Sequence, residues 1–223
     1  HALRLIQAHG TGGRLLDVGC GTGEFLGEAE AAGFSVFGVE PSETAYSIAR
    51  QRHAVVRGEL KDISLKEGSF DVATLWSVLE HVPDPFPFLE KVRLVLKKEG
   101  LLALRVPSAR GLLAVLALWL YRASAGLVRR PLEVIYQLDW HYKHFFLYDR
   151  ENLGLLLGKC GFKILAVEED AGFDLRSLDF RMDYLPRSGG ARILFMAALL
   201  VILQLSSFLG RRDELVVLAR KSG

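Results

Sequence analysis

Residues 15–26 read Leu-Leu-Asp-Val-Gly-Cys-Gly-Thr-Gly-Glu-Phe-Leu: an apolar run, one carboxylate, three glycines on alternate positions, then a helix start. Few folds accommodate that order. An apolar strand that ends in glycines and reverses into a helix brings bare backbone up to a ligand, because glycine adopts left-handed φ without a Cβ to obstruct the approach. Asp17 adds a carboxylate at the strand end. The segment therefore reads as a nucleotide-type site on an α/β scaffold.

The rest of the chain keeps the same alternation. Leu15–Val18 is a first strand, and Glu24–Ala32 a helix stopped by Gly33. Ser35–Glu40 is a second strand, leading through Pro41 into a helix for which Ser42 is a good N-cap. Ala54–Arg57 and Phe70–Leu75 follow as third and fourth strands. Pro85–Leu96 reads as a helix and Gly100–Val106 as the fifth strand. Asp149–Cys160 is helical with Gly161 as its stop, Phe162–Val167 is a strand, and Glu214–Ala219 is the last. Strands that are apolar almost throughout and alternate with helices predict a mainly parallel sheet covered on both faces. At 223 residues, half of them hydrophobic, residues 1–223 are expected to form a single domain.

Two segments break the alternation, Gly111–Tyr121 and Ile193–Leu209, and they hold the excess behind the mean hydropathy of +0.22. They are expected as insertions at about residues 107–140 and 173–210, forming a helical cap. Ile193–Leu209 carries no charge and has about the length of a minimal membrane span. A single crossing would strand Glu214–Ala219 on the far side from its sheet, and Arg192 is balanced by Arg211 and Arg212, so no orientation is encoded. A lid over a substrate is one expectation. The other is peripheral contact with a bilayer, for which Trp119, Tyr121, Arg122, Arg129 and Arg130 suit the membrane–water boundary. A net charge of +2 without a long basic run argues against nucleic acid. Cys20 and Cys160 lie far apart and outside any ligand cluster, as expected in a reducing, cytoplasmic setting, with the inner membrane face as the site of any peripheral contact. The chain begins at His1 without a methionine and reads as a fragment.

Two ligand classes compete for the glycine turn. The dinucleotide fingerprint asks for a third glycine where this chain has Glu24, and Asp17 with Glu24 would crowd a pyrophosphate with negative charge. A cationic, phosphate-free ligand suits the turn better, and S-adenosylmethionine is one, with its ammonium and sulfonium. A nicotinamide-dependent oxidoreductase on a similar sheet is the alternative.

The chain resembles the class I S-adenosylmethionine-dependent methyltransferases, in the branch that includes ubiquinone-pathway O-methyltransferases. LLDVGCGTGEFL is similar to the family's first motif, VFGVEPS to its ribose motif, GSFDVATLWSVLEHVPDP to its fourth-strand motif and LKKEGLLALRVPS to its fifth. HYKHFFLYDRENLGLLLGKCGF resembles a later signature of the branch. The resemblance implies an α/β, Rossmann-like fold: a seven-stranded, mainly parallel sheet with its last strand antiparallel, beneath the helical cap. It implies that Gly19 and Gly21, with Cys20 and Gly23 of the same turn, lie along the methionine part of S-adenosyl-L-methionine. Asp17 would anchor the ammonium, Glu40 the ribose hydroxyls, and Pro41 would pack beside the adenine. Glu59, followed by Leu60, is the first choice for the adenine amino group, with Asp62 as the alternative. Trp76 would lie along the methionine chain, or simply join the core.

Methyl transfer is an in-line displacement at a sulfonium, so a base is needed only where the acceptor is a neutral hydroxyl or similar group. His81, His141, His144 and Tyr148 are the candidates, with His81 and His144 preferred and a loop-tying role favoured for His141. A Glu-x-x-Glu-His metal pattern in one relative has Ser77 in place of its first carboxylate here, so no metal is expected. The acceptor is expected to be small and apolar or lipid-linked, methylated on oxygen or carbon. A non-catalytic, membrane-recruited binding module is the remaining alternative.

Overall fold

The computed structural model describes residues 2–10, 12–138, 143–170, 201–202, 204–206 and 208–223. The chain divides into two compact units, one of His1–Val106, Arg150–Val167 and Val216–Gly223, the other of Pro107–Asp149 and Glu168–Leu215.

The first unit is built on a seven-stranded sheet of order β3-β2-β1-β4-β5-β7-β6. Its strands are β1 (Gly13–Val18), β2 (Phe34–Glu40), β3 (Val55–Arg57), β4 (Phe70–Trp76), β5 (Leu96–Pro107), β6 (Phe162–Asp170) and β7 (Glu214–Lys221). β1 runs parallel to β2 and β4, with Leu16 opposite Phe37 on one side and Ala73 on the other. The antiparallel relations lie at the other edge, among β5, β7 and β6. The helices are α1 (Ala2–His9), α2 (Glu24–Ala31), α3 (Glu43–Ala49), α4 (Pro85–Val95) and α7 (Arg150–Lys159). Ile6, Leu15, Ala29, Phe34, Val72, Leu101, Ala103 and Leu218 form one buried cluster on a face of the sheet. A clean switch from β1 to α2 follows from the sequence: the last four residues of β1 are buried, and the glycine turn comes immediately after them.

Several boundaries differ from the sequence reading: β1 starts at Gly13 rather than Leu15, and β6 runs to Asp170 rather than Val167. The fifth strand begins at Leu96 rather than Gly100, because Lys97–Gly100 is absorbed as an irregularity in the β4–β5 register, with Glu99 at φ 60°. A polar Lys-Lys-Glu-Gly run resembles a turn, yet an irregular ladder accommodates it. The last strand likewise continues two residues past Ala219 to Lys221, whose ammonium donates to the Leu96 carbonyl at 2.7 Å.

The second unit contains α5 (Leu112–Ala123) and α6 (Arg130–Ile135), which pack on each other. Asp213 organises its base: its carboxylate accepts from the Leu113 N–H at 3.1 Å, and its carbonyl from the Ser108 N–H at 2.8 Å. A parallel bridge joins Ser108 to Tyr148. The insertions expected at 107–140 and 173–210 fall within this unit. Most of Ile193–Leu209 lies outside the described residues, of which 201–202, 204–206 and 208 are helical. Among the described residues, no helix is long and apolar enough to cross a membrane.

Candidate active site

The turn after β1 is held by its own backbone. The Gly19 and Cys20 N–H groups both donate to the Val39 carbonyl, at 2.7 and 3.2 Å, and the Gly23 N–H donates to the Cys20 carbonyl at 3.0 Å. The Gly21 N–H donates to Glu40 Oε2 at 2.8 Å. A phosphate-binding loop presents such N–H groups to its ligand. Here four of them point into the protein, and one already serves a carboxylate, so the turn is a poor cradle for pyrophosphate.

Each glycine meets a different demand. At Gly19 a Cβ would stand 2.6 Å from Val78 Cγ2, and φ is +73°. Ser77, at φ 56°, turns the chain off β4 so that Val78 closes against the first glycine. At Gly21 (φ +56°) nothing lies within 4 Å of where a Cβ would be. That open backbone is where a ligand can approach. At Gly23 a Cβ would meet His53 Cδ2 at 2.9 Å and Ala49 Cβ at 3.3 Å, so this glycine lets α2 pack against the end of α3.

Two carboxylates face this turn. Glu40, at the carboxyl end of β2, is buried and accepts from the Gly21 N–H through Oε2 and the Ser42 N–H through Oε1, both at 2.8 Å. A carboxylate offers about four lone-pair sites, so two remain for ligand hydroxyls. Asp17, fully buried at the end of β1, accepts from the Thr74 hydroxyl at 2.6 Å. Its pKa is pushed up to about 7: burial is the main cause, the nearby Glu40 charge adds to it, and the Thr74 hydrogen bond opposes it. Neither carboxylate pairs with a lysine or arginine among the described residues. Buried negative charge without a cation is costly and demands a positive partner. The acceptor set fits a ligand with an ammonium and vicinal hydroxyls, the features of S-adenosylmethionine.

Thr74 escaped the sequence reading. Its signal was present, a lone hydroxyl inside the apolar strand Phe-Asp-Val-Ala-Thr-Leu-Trp, but its target lies on another strand. Trp76, at the end of the same strand, is half-buried; its ring meets Phe25 edge-on with centroids 4.9 Å apart. Its buried Nε1 has no hydrogen-bond partner among the described residues. The Cys20 side chain points away from the turn into a cluster with Leu26 and Ala49. Its thiol would lie 2.7 Å from a Cβ at Gly38, and burial together with the Asp17 and Glu40 charges pushes its pKa up to about 12.

The remaining expected residues are placed as follows. Pro41 is exposed beside Glu40. Glu59 is exposed and pairs with Lys61 at 2.8 Å, Leu60 is buried, and Asp62 lies on the surface. His81 closes a short 3₁₀ turn, Leu79–His81, just beyond β4. His144 belongs to the second unit, where its N–H donates to the Tyr136 carbonyl at 3.0 Å, and Tyr148 is buried in that unit. His141 lies outside the described residues.

A glycine turn poor for phosphate, flanked by two carboxylates that pair with no lysine or arginine among the described residues, is chemically suited to a cationic nucleoside. A family model described as a methyltransferase domain matches residues 2–167. The chain therefore belongs to this methyltransferase family, in its class I, S-adenosyl-L-methionine-dependent group. Among curated proteins, the ubiquinone biosynthesis O-methyltransferase of Haemophilus ducreyi is 37% identical over 107 residues, 42% of this chain and 44% of that protein. The protein of the same name from Paraburkholderia phymatum is 35% identical over 103 residues, with the same coverage. The chain thus spans under half the length of these relatives. Among solved structures, an S-adenosylmethionine-dependent methyltransferase from Mesorhizobium loti superposes with a TM-score of 0.64 at 22% identity, covering 99% of this chain and 98% of that one. Phosphoethanolamine N-methyltransferase 2 of Haemonchus contortus, solved with S-adenosyl-L-methionine, gives 0.66 at 17% identity, covering 100% of this chain and 52% of that one. At such identities the structural likeness speaks for the fold alone.

Proposed function

We propose that the chain transfers a methyl group from S-adenosylmethionine to a hydroxyl or carbon of a small, apolar or lipid-linked acceptor. The observation that carries the donor half is the pair of buried carboxylates, Asp17 and Glu40, which pair with no lysine or arginine among the described residues. When bound, the cofactor supplies an electrophilic methyl on a sulfonium. Asp17 would hold the ammonium and Glu40 the ribose hydroxyls, and the open backbone at Gly21 leaves room for the methionine portion. Trp76, braced by Phe25, would lie along that chain with its Nε1–H as a donor. Leu60 and Glu59, or Asp62, would receive the adenine. His81 and His144 are the base candidates for a hydroxyl acceptor, each expected to contribute about 10²–10⁴-fold if it takes the proton.

The acceptor half rests on the curated relatives named for O-methylation in ubiquinone biosynthesis and on the apolar second unit. Such an acceptor partitions into membranes, so peripheral contact with a bilayer belongs to the same reading.

The test is incubation of purified chain with isotopically labelled S-adenosylmethionine and a panel of apolar phenols and polyprenyl-linked acceptors, followed by mass spectrometry. One added, labelled methyl on an apolar acceptor supports the proposal. Binding of a nicotinamide cofactor in place of S-adenosylmethionine would overturn it in favour of an oxidoreductase. Tight cofactor binding without transfer to any acceptor would favour a non-catalytic module.

A further inference from the structure

The α5–α6 hairpin ends in a tip that water does not suit. In α5 the buried positions are Ala114 and Ala117, after which residues 118–123 (Leu-Trp-Leu-Tyr-Arg-Ala) are exposed on every side of the helix. α6 has no buried residue. At the apex between them Leu127 is 88% exposed, and Trp119 is 63% exposed on the neighbouring turn of α5. Leu118, Leu120, Tyr121 and Val128, each about two-fifths exposed, extend this apolar surface. Scattered apolar residues on a surface need no explanation, but a contiguous projecting set does.

The backbone of the tip is closed upon itself. Over residues 124–128 every N–H is bonded within the hairpin: Ser124 to Leu120 O, Ala125 to Arg122 O, Gly126 to Tyr121 O and Leu127 to Ser124 O, at 2.8 to 3.1 Å. The fifth, from Val128, donates to Ser124 Oγ at 2.9 Å, and that hydroxyl donates in turn to Tyr121 O at 3.1 Å. Helix ends commonly close in this way around a left-handed glycine, so the bonding is compatible with either surroundings. A turn that meets hydrocarbon must satisfy them internally, because an unpaired peptide group there costs several kcal/mol.

The charge is one-sided. Arg122, Arg129 and Arg130 surround the apex, and between Gly111 and Leu138 the only carboxylate is Glu133. Glu133 is shared by Arg129 at 3.0 Å and Arg130 at 3.2 Å, and by sequence residues 111–138 set three arginines against this one carboxylate. Exposed leucines and a tryptophan at the apex, a satisfied backbone and a cationic collar match the boundary of an anionic bilayer, where apolar side chains enter about 5–10 Å and arginines stay at the phosphates.

The geometry points to the α5–α6 tip as a membrane-docking element that inserts Trp119 and Leu127 into an anionic lipid surface and ties Arg122, Arg129 and Arg130 to lipid phosphates. It deepens the apolar-acceptor reading above by naming the surface on which that acceptor would be met. The experiment is flotation of the full chain with phosphatidylcholine vesicles, with and without phosphatidylglycerol, in the absence of cofactor and acceptor. The expected result is binding to the anionic vesicles, weakened when salt is raised from about 0.1 to 1 M. W119D/L127D should lose about a hundredfold in partitioning, the factor implied by removing two large apolar anchors. R129Q/R130Q should lose about tenfold on anionic vesicles alone. All four side chains are exposed, so both variants should melt with the parent chain.

No binding to anionic vesicles overturns the proposal, as does binding that W119D/L127D leaves unchanged. Self-association abolished by L127D, without vesicle binding, assigns the tip to a second copy of the chain and overturns it too. A chain that floats yet methylates no apolar acceptor upholds the docking tip and sinks the acceptor reading. A chain that methylates a detergent-dispersed acceptor but ignores vesicles does the reverse.

Discussion

Replacing Asp17 by asparagine should make the free chain more stable and the cofactor complex weaker. Asp17 is fully buried, and its pKa rises from an ordinary 3.8 to about 7 in the folded chain. Between those values the folded state keeps a proton that the unfolded chain has released, so stability falls as pH rises through the window and levels off above about 7. At about 1.36 kcal/mol per unit, the raised pKa costs on the order of 4 kcal/mol at pH 8, where the buried group is ionised, and about 2 kcal/mol at pH 5, where it holds a proton the unfolded chain releases. Asparagine keeps an acceptor for the Thr74 hydroxyl and never ionises, so it escapes that cost. For a chain of this size D17N should melt roughly 10 °C above the parent at pH 8, with the gap shrinking toward pH 5. The same change removes the charge offered to the ammonium, and one charge-assisted hydrogen bond is worth about 1.5–3 kcal/mol, or about 10–100-fold in affinity. Thermal melts at both pH values and calorimetric titration with S-adenosylmethionine check the two halves. A D17N chain that melts with the parent at pH 8, or binds the cofactor as tightly, would refute the reasoning.

E40Q should weaken S-adenosylmethionine binding by about 30-fold or more in a titration, because an amide NH₂ must then face either the Gly21 or the Ser42 N–H while the charge on the ribose side is lost. T74V removes the hydrogen bond that lowers the Asp17 pKa, so the pH profile of cofactor affinity should shift to higher pH with its plateau little changed. G19A should destabilise by about 1–3 kcal/mol in denaturant melts, since its Cβ meets Val78 at 2.6 Å; the double variant G19A/V78A should recover the steric part but not the cost of φ +73°. Cys20 and Cys160 are both buried with thiols held above their ordinary pKa, so alkylation at about pH 8 should be negligible in the folded chain and rapid after unfolding.

The sheet and the glycine turn after β1 are legible because their signals are local. β1, its glycines and Glu40 at the end of β2 sit at spacings that a βαβ unit imposes, and the strands are apolar enough to read directly. What escaped depends on pairs distant in sequence. Thr74 matters only because register sets it beside Asp17, and Val78 only because Ser77 takes a left-handed φ that no propensity announces. Gly23 shows the same dependence: its missing side chain is matched by His53 and Ala49, thirty and twenty-six residues on. The start of β5 was misplaced because a polar run can be either a turn or an irregular piece of strand, and only the neighbouring strand decides. In the second unit, hydropathy located the apolar segments, but which of their residues stay in water emerged from the α5–α6 packing alone.

If the buried carboxylates at the ends of β1 and β2 hold a cationic cofactor, its binding should release a proton. At pH 6 the amino group of S-adenosylmethionine is already protonated, like any α-amine of pKa about 7.7–8.0. Asp17 of the free chain, titrating at about 7, is then about nine-tenths protonated, and an ammonium bound beside it would expel that proton. Titration calorimetry in buffers of different ionisation enthalpy should therefore show nearly one proton released at pH 6, about a tenth of one from Asp17 at pH 8, and none at pH 6 from D17N. Binding at pH 6 without proton release, or with the same release from D17N, would contradict the account.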